Sequence, residues 1–167
     1  MWLTKAFRDQ DAEEIVNSVK EFDRDNLFLK QQLGRDTNDL VLEQLRQEVK
    51  EFGVNNNLIL ALGNRALEQK HWEKIFGLIG QQTPALNAFN LKTLLDFKID
   101  LEYEKVEEIS SFASGEATIN AQLNEISGFW ETQALFTVMP YRDSKDRFII
   151  GDIEDTIVQL EDNQMSI

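Results

Sequence analysis

Few residues in this chain are of types that do acid–base, nucleophilic or metal chemistry, and their spacing limits which chemistry is open. The single histidine, His71, stands beside Trp72 in the stretch ALEQKHWEKIF, Ala66 to Phe76. A histidine in such a setting serves as acid–base catalyst, metal ligand or packed core residue. One histidine and no cysteine exclude HExxH, multi-histidine and cysteine-based zinc sites, disulfides and a thiolate nucleophile. Ser18, Ser110, Ser111, Ser114 and Ser127 fall in helical patterns, and none stands in a GxSxG elbow. Any Ser-His-Asp triad would have to use His71.

Carboxylates are plentiful, in pairs such as Glu13–Glu14, Glu107–Glu108 and Asp152 with Glu154 and Asp155. Two carboxyls work as acid and base only when both face one cleft with separated pKa values. Adjacent acids on a helix point to solvent instead. The segment Asp23 to Asn26 starts like a calcium loop, but it lacks the sixth-position glycine and puts Leu27 where a ligand belongs. Gly77 to Gly80 has GxxG spacing with an apolar middle at a helix end, which reads as a fraying terminus. No glycine precedes a lysine, so there is no P-loop, and GxGxxG is absent. Catalytic, cofactor-binding and metal-binding residues are all expected to be none.

The elements around these residues are mainly helical. Proline occurs only at positions 84 and 140 and glycine is sparse, so long helices are permitted. A first helix is expected from Asp11, carrying Ile15, Val16, Val19, Phe22, Leu29 and Leu33, with Gly34 as its stop. A second starts at Asn38 or Asp39 with Val41, Leu42, Leu45, Val49 and Phe52, and breaks at Gly53. LILAL, Leu58 to Leu62, reads as a short apolar turn before Gly63 and Asn64. At 100° per residue from Leu67, His71, Trp72, Ile75, Phe76, Leu78 and Ile79 fall on one half of a third helix, which places His71 on the apolar face. A loop around Pro84 follows. Asn90 caps a short helix through Asp96. A long pattern from Leu101 to Trp130 carries Ile109, Phe112, Ile119, Leu123, Ile126 and Trp130; if continuous, roughly 30 residues make about 45 Å of helix. A coiled-coil seam and a bundle helix share that pattern, and bundle packing is the reading taken. From Ala134 to Asp152 the period changes to that of a β-hairpin turning at Asp143 to Asp146. Asp152 then caps a last helix with Ile153, Ile157, Val158 and Leu160. The expected fold is mainly α, an elongated helical bundle with one long helix plus a small β-hairpin near the C-terminus.

Composition limits the partners. Among 167 residues, 30 acids against 17 bases give a net charge of −13, so nucleic acid and anionic membrane surfaces are repelled. The longest basic cluster, Arg142, Lys145 and Arg147, is interleaved with Asp143 and Asp146. No apolar run reaches membrane-spanning length, and Met1 to Phe7 does not read as a signal peptide. A reducing compartment fits the lack of cysteine. The closing NQMSI carries no composed cap, and the chain is expected to be a piece of something longer.

One set of residues carries a resemblance. Asn64 to Trp72 resembles the N-x-A-L-x-x-R-H-W signature of the linker region of dynein heavy chains. Phe89, Asn90, Leu91, Leu94 and Leu95 resemble that family's F-T-L-x-x-L segment. Tyr103, Ile109, Ala113, Glu116, Ile119, Ile126 and Trp130 resemble its long helix. Val138 to Asp143 is similar to its V-P-Y-K-D hairpin, and Leu160 to Gln164 to the L-x-D-N-Q beyond. Trp2 and Phe7 resemble its opening W…F pair. The matches occur in order over essentially the whole chain. Lys70 replaces the usual arginine, Lys92 a common glycine, and Gly53-Val54-Asn55 a proline-containing turn.

The resemblance, assigned to the axonemal branch on paralogue numbers alone, implies the N-terminal half of a linker, a helical lever arching over a ring of six ATPase modules. Such a lever docks on the AAA+ ring and swings with the ATP cycle to transmit the power stroke. It implies the parts 1–63 (N-terminal helical part), 64–133 (central bundle with the long helix) and 134–167 (hairpin and terminal helix). It implies Asn64, Leu67, His71, Trp72, Trp130 and Tyr141 as a structural signature. Its implied partners are the AAA+ ring of the same chain, intermediate and light chains through the parent's tail, and the microtubule only through the parent's stalk, in a cytoplasmic, cytoskeletal setting such as a cilium or flagellum axoneme. The ATP sites would lie beyond residue 167, leaving this segment without cofactor or catalysis. On the residues alone, a free-standing helical interaction or scaffold module stays open, with an acid–base hydrolase more distant. A parent reading frame continuing into GxxxxGK[ST] motifs separates the first reading from these.

Overall fold

The computed structural model describes residues 2–33, 39–86, 88–132, 137–142, 145–151 and 153–166. Expectations resting on Gly34, Asn38, Ala134 to Phe136, Asp143, Ser144 and Asp152 lie outside these residues. Within them the chain forms α1 (Ala12–Leu33), α2 (Leu40–Gly53), α3 (Asn56–Leu62), α4 (Gln69–Leu78), α5 (Leu91–Asp96), α6 (Tyr103–Thr132), β1 (Thr137–Pro140), β2 (Phe148–Gly151) and α7 (Ile153–Ser166), with 3-10 turns at Phe7–Asp9 and Ile99–Glu102. The protein is mainly helical, with one long helix of 30 residues and a C-terminal antiparallel hairpin pairing Thr137 with Gly151 and Pro140 with Phe148. It divides into two compact units, Met1–Ser114 and Gly115–Ile167.

Helix starts follow side-chain chemistry. Asp11 Oδ1 accepts from the amides of Glu13 and Glu14 at 2.9 and 3.1 Å, and Asp39 Oδ1 from those of Val41 and Leu42 at 2.9 and 3.2 Å. Asn90 Oδ1 accepts from the Thr93 amide at 2.9 Å. Each carboxylate or amide oxygen satisfies N–H groups that have no partner within the helix. The end of α4 is a Schellman turn: Gly80, at φ +66°, donates to the Gly77 carbonyl at 3.1 Å while Gln81 donates to that of Phe76 at 3.1 Å. The left-handed backbone there accounts for glycine, and the GxxG spacing is a helix terminus.

Two expectations are corrected. LILAL is not a turn but most of helix α3: Leu58, Ile59 and Leu62 share one face and are buried, so packing rewards a helical turn. On α6 the buried face is Val106, Ser110 and Ala113, whereas Phe112, Ile119 and Leu123 are exposed. Small side chains let this stretch approach the α3–α4 connection closely, and volume at the contact outweighs the larger but misphased apolar stripe.

The core of the first unit collects Phe7, Ile15, Ile59, Leu62, Leu67, Trp72, Ile75, Phe76, Phe89, Leu91, Leu94, Ile99 and Val106. Aromatic rings dominate its centre. Trp72 and Phe89 centroids lie 4.9 Å apart, Phe76 meets Phe89 edge-on at 5.3 Å, and Phe7 meets Trp72 edge-on at 6.4 Å. Edge-to-face rings at such distances are favoured by the ring quadrupole beyond the area they bury. The N-terminal segment is fastened by the Phe7 amide donating to the Phe89 carbonyl at 3.0 Å and by the Ala6–Asn90 bridge. Buried Gln10 Nε2 also donates to the carbonyls of Trp2 and Lys5, both at 2.9 Å.

Candidate functional site

His71 is 1 % exposed. Its Nδ1 accepts the Glu68 backbone N–H at 3.0 Å, so the imidazole performs the helix-capping task usually given to Glu or Gln at the third helical position. Neutral imidazole carrying its proton on Nε2 is the form that can accept at Nδ1. The ring meets Phe112 edge-on at 6.4 Å, and the Lys74 ammonium sits 5.5 Å from the centre of that phenyl ring. Phe112 is thereby engaged even though more than half its surface is open.

Four residues before the Glu68 cap lies a polar clasp. Asn64 Nδ2 donates to the Ser110 carbonyl and to Ser110 Oγ, both at 2.9 Å, and to Ser114 Oγ at 2.7 Å, while its Oδ1 accepts the Ala66 amide at 3.0 Å. Ser110 Oγ in turn donates to the Ala61 carbonyl at 2.8 Å. One asparagine thus shapes its own turn and ties the end of α3 to α6. Gly63 precedes it for a steric reason: a Cβ there would fall 2.2 Å from the Ala12 Cβ at the start of α1. The clasp therefore sits where three helices converge, and only a residue without a side chain fits between them.

The Ser110 hydroxyl is committed to a carbonyl, the His71 Nδ1 to an amide, and the cavity beside Trp72, lined by Phe7, Gln10, Leu62 and Leu67, is about 20 Å³, room for roughly one water. Among the described residues no group of three or more His, Asp or Glu converges as a metal site would require. The DRDN segment is interior to α1, with Asn26 buried and Arg24 and Asp25 exposed, so it forms no loop. Half-buried Tyr103 holds its phenol proton above the usual range, chiefly through burial and then through Glu107 beside it.

Asn64, Leu67, His71 and Trp72 therefore lie together in the first unit, as clasp, core residue, cap and aromatic centre. The other two signature residues belong to the second unit. Trp130 is half-buried and packs edge-on against Phe129 at 5.5 Å. Tyr141 continues the hairpin, its amide donating to the Arg147 carbonyl at 2.8 Å, with the Arg142 guanidinium 5.1 Å from its ring centre. Reading the sequence by type missed Gln10, Gly63 and Ser110. The adjacent Gly63-Asn64 pair held a signal, since asparagine shapes its own turn and glycine marks close approach. Buried Gln10 left none.

The fold and the site define a helical structural domain whose polar residues serve capping and clasping. Residues 1–167 match the family description "Dynein heavy chain, N-terminal region 2" over the whole chain, and the protein belongs to the dynein heavy chain family. It is 30% identical to human dynein axonemal heavy chain 6 across 99% of this chain, and 29% identical to human dynein axonemal heavy chain 2 across 80%. It is 25% identical to the Chlamydomonas reinhardtii dynein-1-beta heavy chain of the flagellar inner arm I1 complex across 99%. The chain spans 4%, 3% and 4% of the lengths of those relatives.

Proposed function

We propose that this chain is the N-terminal half of the linker of a dynein heavy chain, a mechanical lever without catalysis of its own. The observation that carries the reading is the family match over residues 1–167. The lever docks on the AAA+ ring of the same heavy chain and swings with the ATP cycle, and the parent reaches the microtubule through its stalk and its intermediate and light chains through its tail. Relatives named for the axoneme and the flagellum support a ciliary or flagellar setting. The parts 1–63, 64–133 and 134–167 and the signature Asn64, Leu67, His71, Trp72, Trp130 and Tyr141 belong to the same proposal. A lever must resist bending, and a core of interlocked rings with clasped helix junctions suits that need.

The test is a flexible joint in the parent heavy chain. Six Gly/Ser residues inserted after Gly115, an exposed position with open space around it, would let α6 swivel, because such linkers behave as random coil. Microtubule gliding velocity is expected to fall several-fold while ATP turnover persists. Unchanged gliding would remove the lever reading.

A further inference from the structure

The first unit carries an open apolar groove that its own core leaves unfilled. Two distances establish that α1 and α2 run antiparallel: a Cβ on Gly53 would lie 3.7 Å from Val19 Cγ1, and Lys30 pairs with Glu43 further along. Between them, Trp2, Val19, Phe22, Leu45, Val49 and Phe52 line a groove of about 360 Å³ with Glu48 at its edge. Phe22 is 54 % and Leu45 45 % exposed, although the Trp2 ring sits 6.4 Å from Phe22 and 6.5 Å from Phe52. Leu29 and Leu33 continue the Phe22 line along α1, and Val41 continues that of Leu45 along α2, all exposed. From Val19 to Leu33 the strip covers 14 residue steps, about 21 Å or four helical turns.

The charges are sorted around this strip. At 100° per residue, Glu21 and Asp25 lie about 100° and 60° from Phe22 on one flank, while Lys20 and Arg24 lie on the far side of α1. On α2, Glu48 flanks Leu45 and Phe52, whereas Arg46 and Lys50 fall on the other side of Val49. Lys30 is engaged by Glu43. The groove flanks on the two helices are therefore acidic, and their cations face elsewhere.

We infer that the α1–α2 groove is a docking site for a basic amphipathic helix of a partner protein, about four turns long. The partner's apolar stripe fills the space above Trp2, Phe22 and Leu45, and its flanking Lys and Arg residues meet Glu21, Asp25 and Glu48. Helix-in-groove recognition uses this combination of apolar anchors for affinity and flanking charge for orientation and choice of partner. The inference goes beyond the lever reading and does not depend on it, since the chemistry of the groove is the same whatever the parent does.

The probe is a fluorescein-labelled 15-residue helical peptide with leucines at i, i+3, i+4 and i+7 and Lys/Arg on both flanks. A control peptide keeps the leucines and carries Glu flanks. Anisotropy titration with the 167-residue chain is expected to favour the basic peptide by at least about tenfold, with affinity falling as salt rises. The E21K/D25K/E48K chain should reverse that preference, and the F22S/L45S chain should lose both peptides; helical content by circular dichroism confirms that each variant folds. Equal binding of the two peptides, or unchanged binding by the E21K/D25K/E48K chain, overturns the inference. So does a concentration-dependent dimer in sedimentation velocity that F22S/L45S dissolves, which would assign the groove to a second copy.

Discussion

The two compact units differ in where they keep their apolar side chains. In Met1–Ser114 the rings of Phe7, Trp72, Phe76 and Phe89 and the aliphatic groups of Ile59, Leu67, Ile75 and Leu94 are almost wholly buried. Among the described residues of Gly115–Ile167 only Gly151 is buried, while Val138, Phe148, Ile150, Ile157, Val158 and Leu160 are each about half exposed. Both units are rich in apolar residues and both form regular elements, so composition does not separate them. What separates them is layering. The first unit folds helices and an N-terminal strap around one centre, whereas the second offers a two-stranded hairpin, which on its own is marginal in water. Resistance to unfolding should therefore reside in the first unit, and the second should open first.

Truncating one apolar residue in each unit tests that contrast with the largest effect. Phe76→Ala removes a fully buried ring that touches Trp72, Phe89 and Phe97. It should cost about 3–5 kcal/mol in urea unfolding, a large share of a typical domain's stability. Ile157→Ala, at a half-exposed site on α7, should cost no more than about 0.5 kcal/mol. Comparable losses at the two sites would show that the second unit is stabilised as strongly as the first.

The helix junction comes next. Gly63→Ala forces a methyl to 2.2 Å from the Ala12 Cβ, so α1 or the turn must shift. A loss of about 1–3 kcal/mol is expected, as for other overpacked sites. Gly115→Ala meets open space in α6 and should instead be neutral or gain up to about 1 kcal/mol, because alanine is the better helix former. Thermal unfolding of both variants checks the pair, and a stabilised G63A protein would disprove the close approach. Asn64→Ala should cost about 1–3 kcal/mol, because buried Ser110 loses a donor and the turn loses its oxygen. Asn64→Asp should not rescue it, since a carboxylate brings no N–H to Ser110 and Ser114.

Which of these features could be read from the chain follows from how local each one is. The helix starts at Asp11, Asp39 and Asn90 were legible because a cap needs only its own side chain and the next three amides. The burial of His71 was legible because helical phase from Leu67 is a property of consecutive residues. Its capping bond was not, since histidine is an uncommon choice for that task. The buried face of α6 was misread because Phe112 and Leu123 outweigh Ser110 and Ala113 in hydrophobicity. Close approach at the α3–α4 connection rewards small side chains, and that contact spans nearly 50 positions in sequence. For the same reason LILAL passed as a turn, as its helix is stabilised by what packs on it. The family resemblance placed Asn64 in a signature without indicating its chemistry. The three hydrogen bonds of its Nδ2 to α6 supply it.

The smallest expected effect probes the surface of the first unit, where a charge pair adds to the packing between two helices. Lys30 on α1 meets Glu43 on α2, and this hydrogen bond, followed by the charge of Lys30, holds the Glu43 carboxyl below its ordinary 4.5. A carboxyl whose pKa is depressed on folding binds its proton less tightly in the native state. The stabilisation is thus present above the unfolded value and is lost as pH falls from 4.5 through the native value. Because the pair is open to solvent, the contribution is small and screened by salt. The difference in thermal midpoint between the parent chain and Glu43→Gln should be measurable at about pH 7 in low salt, shrink below about pH 4.5, and vanish in about 1 M salt. A Glu43→Gln difference that persisted at acid pH would mean that Glu43 acts there through something other than its charge.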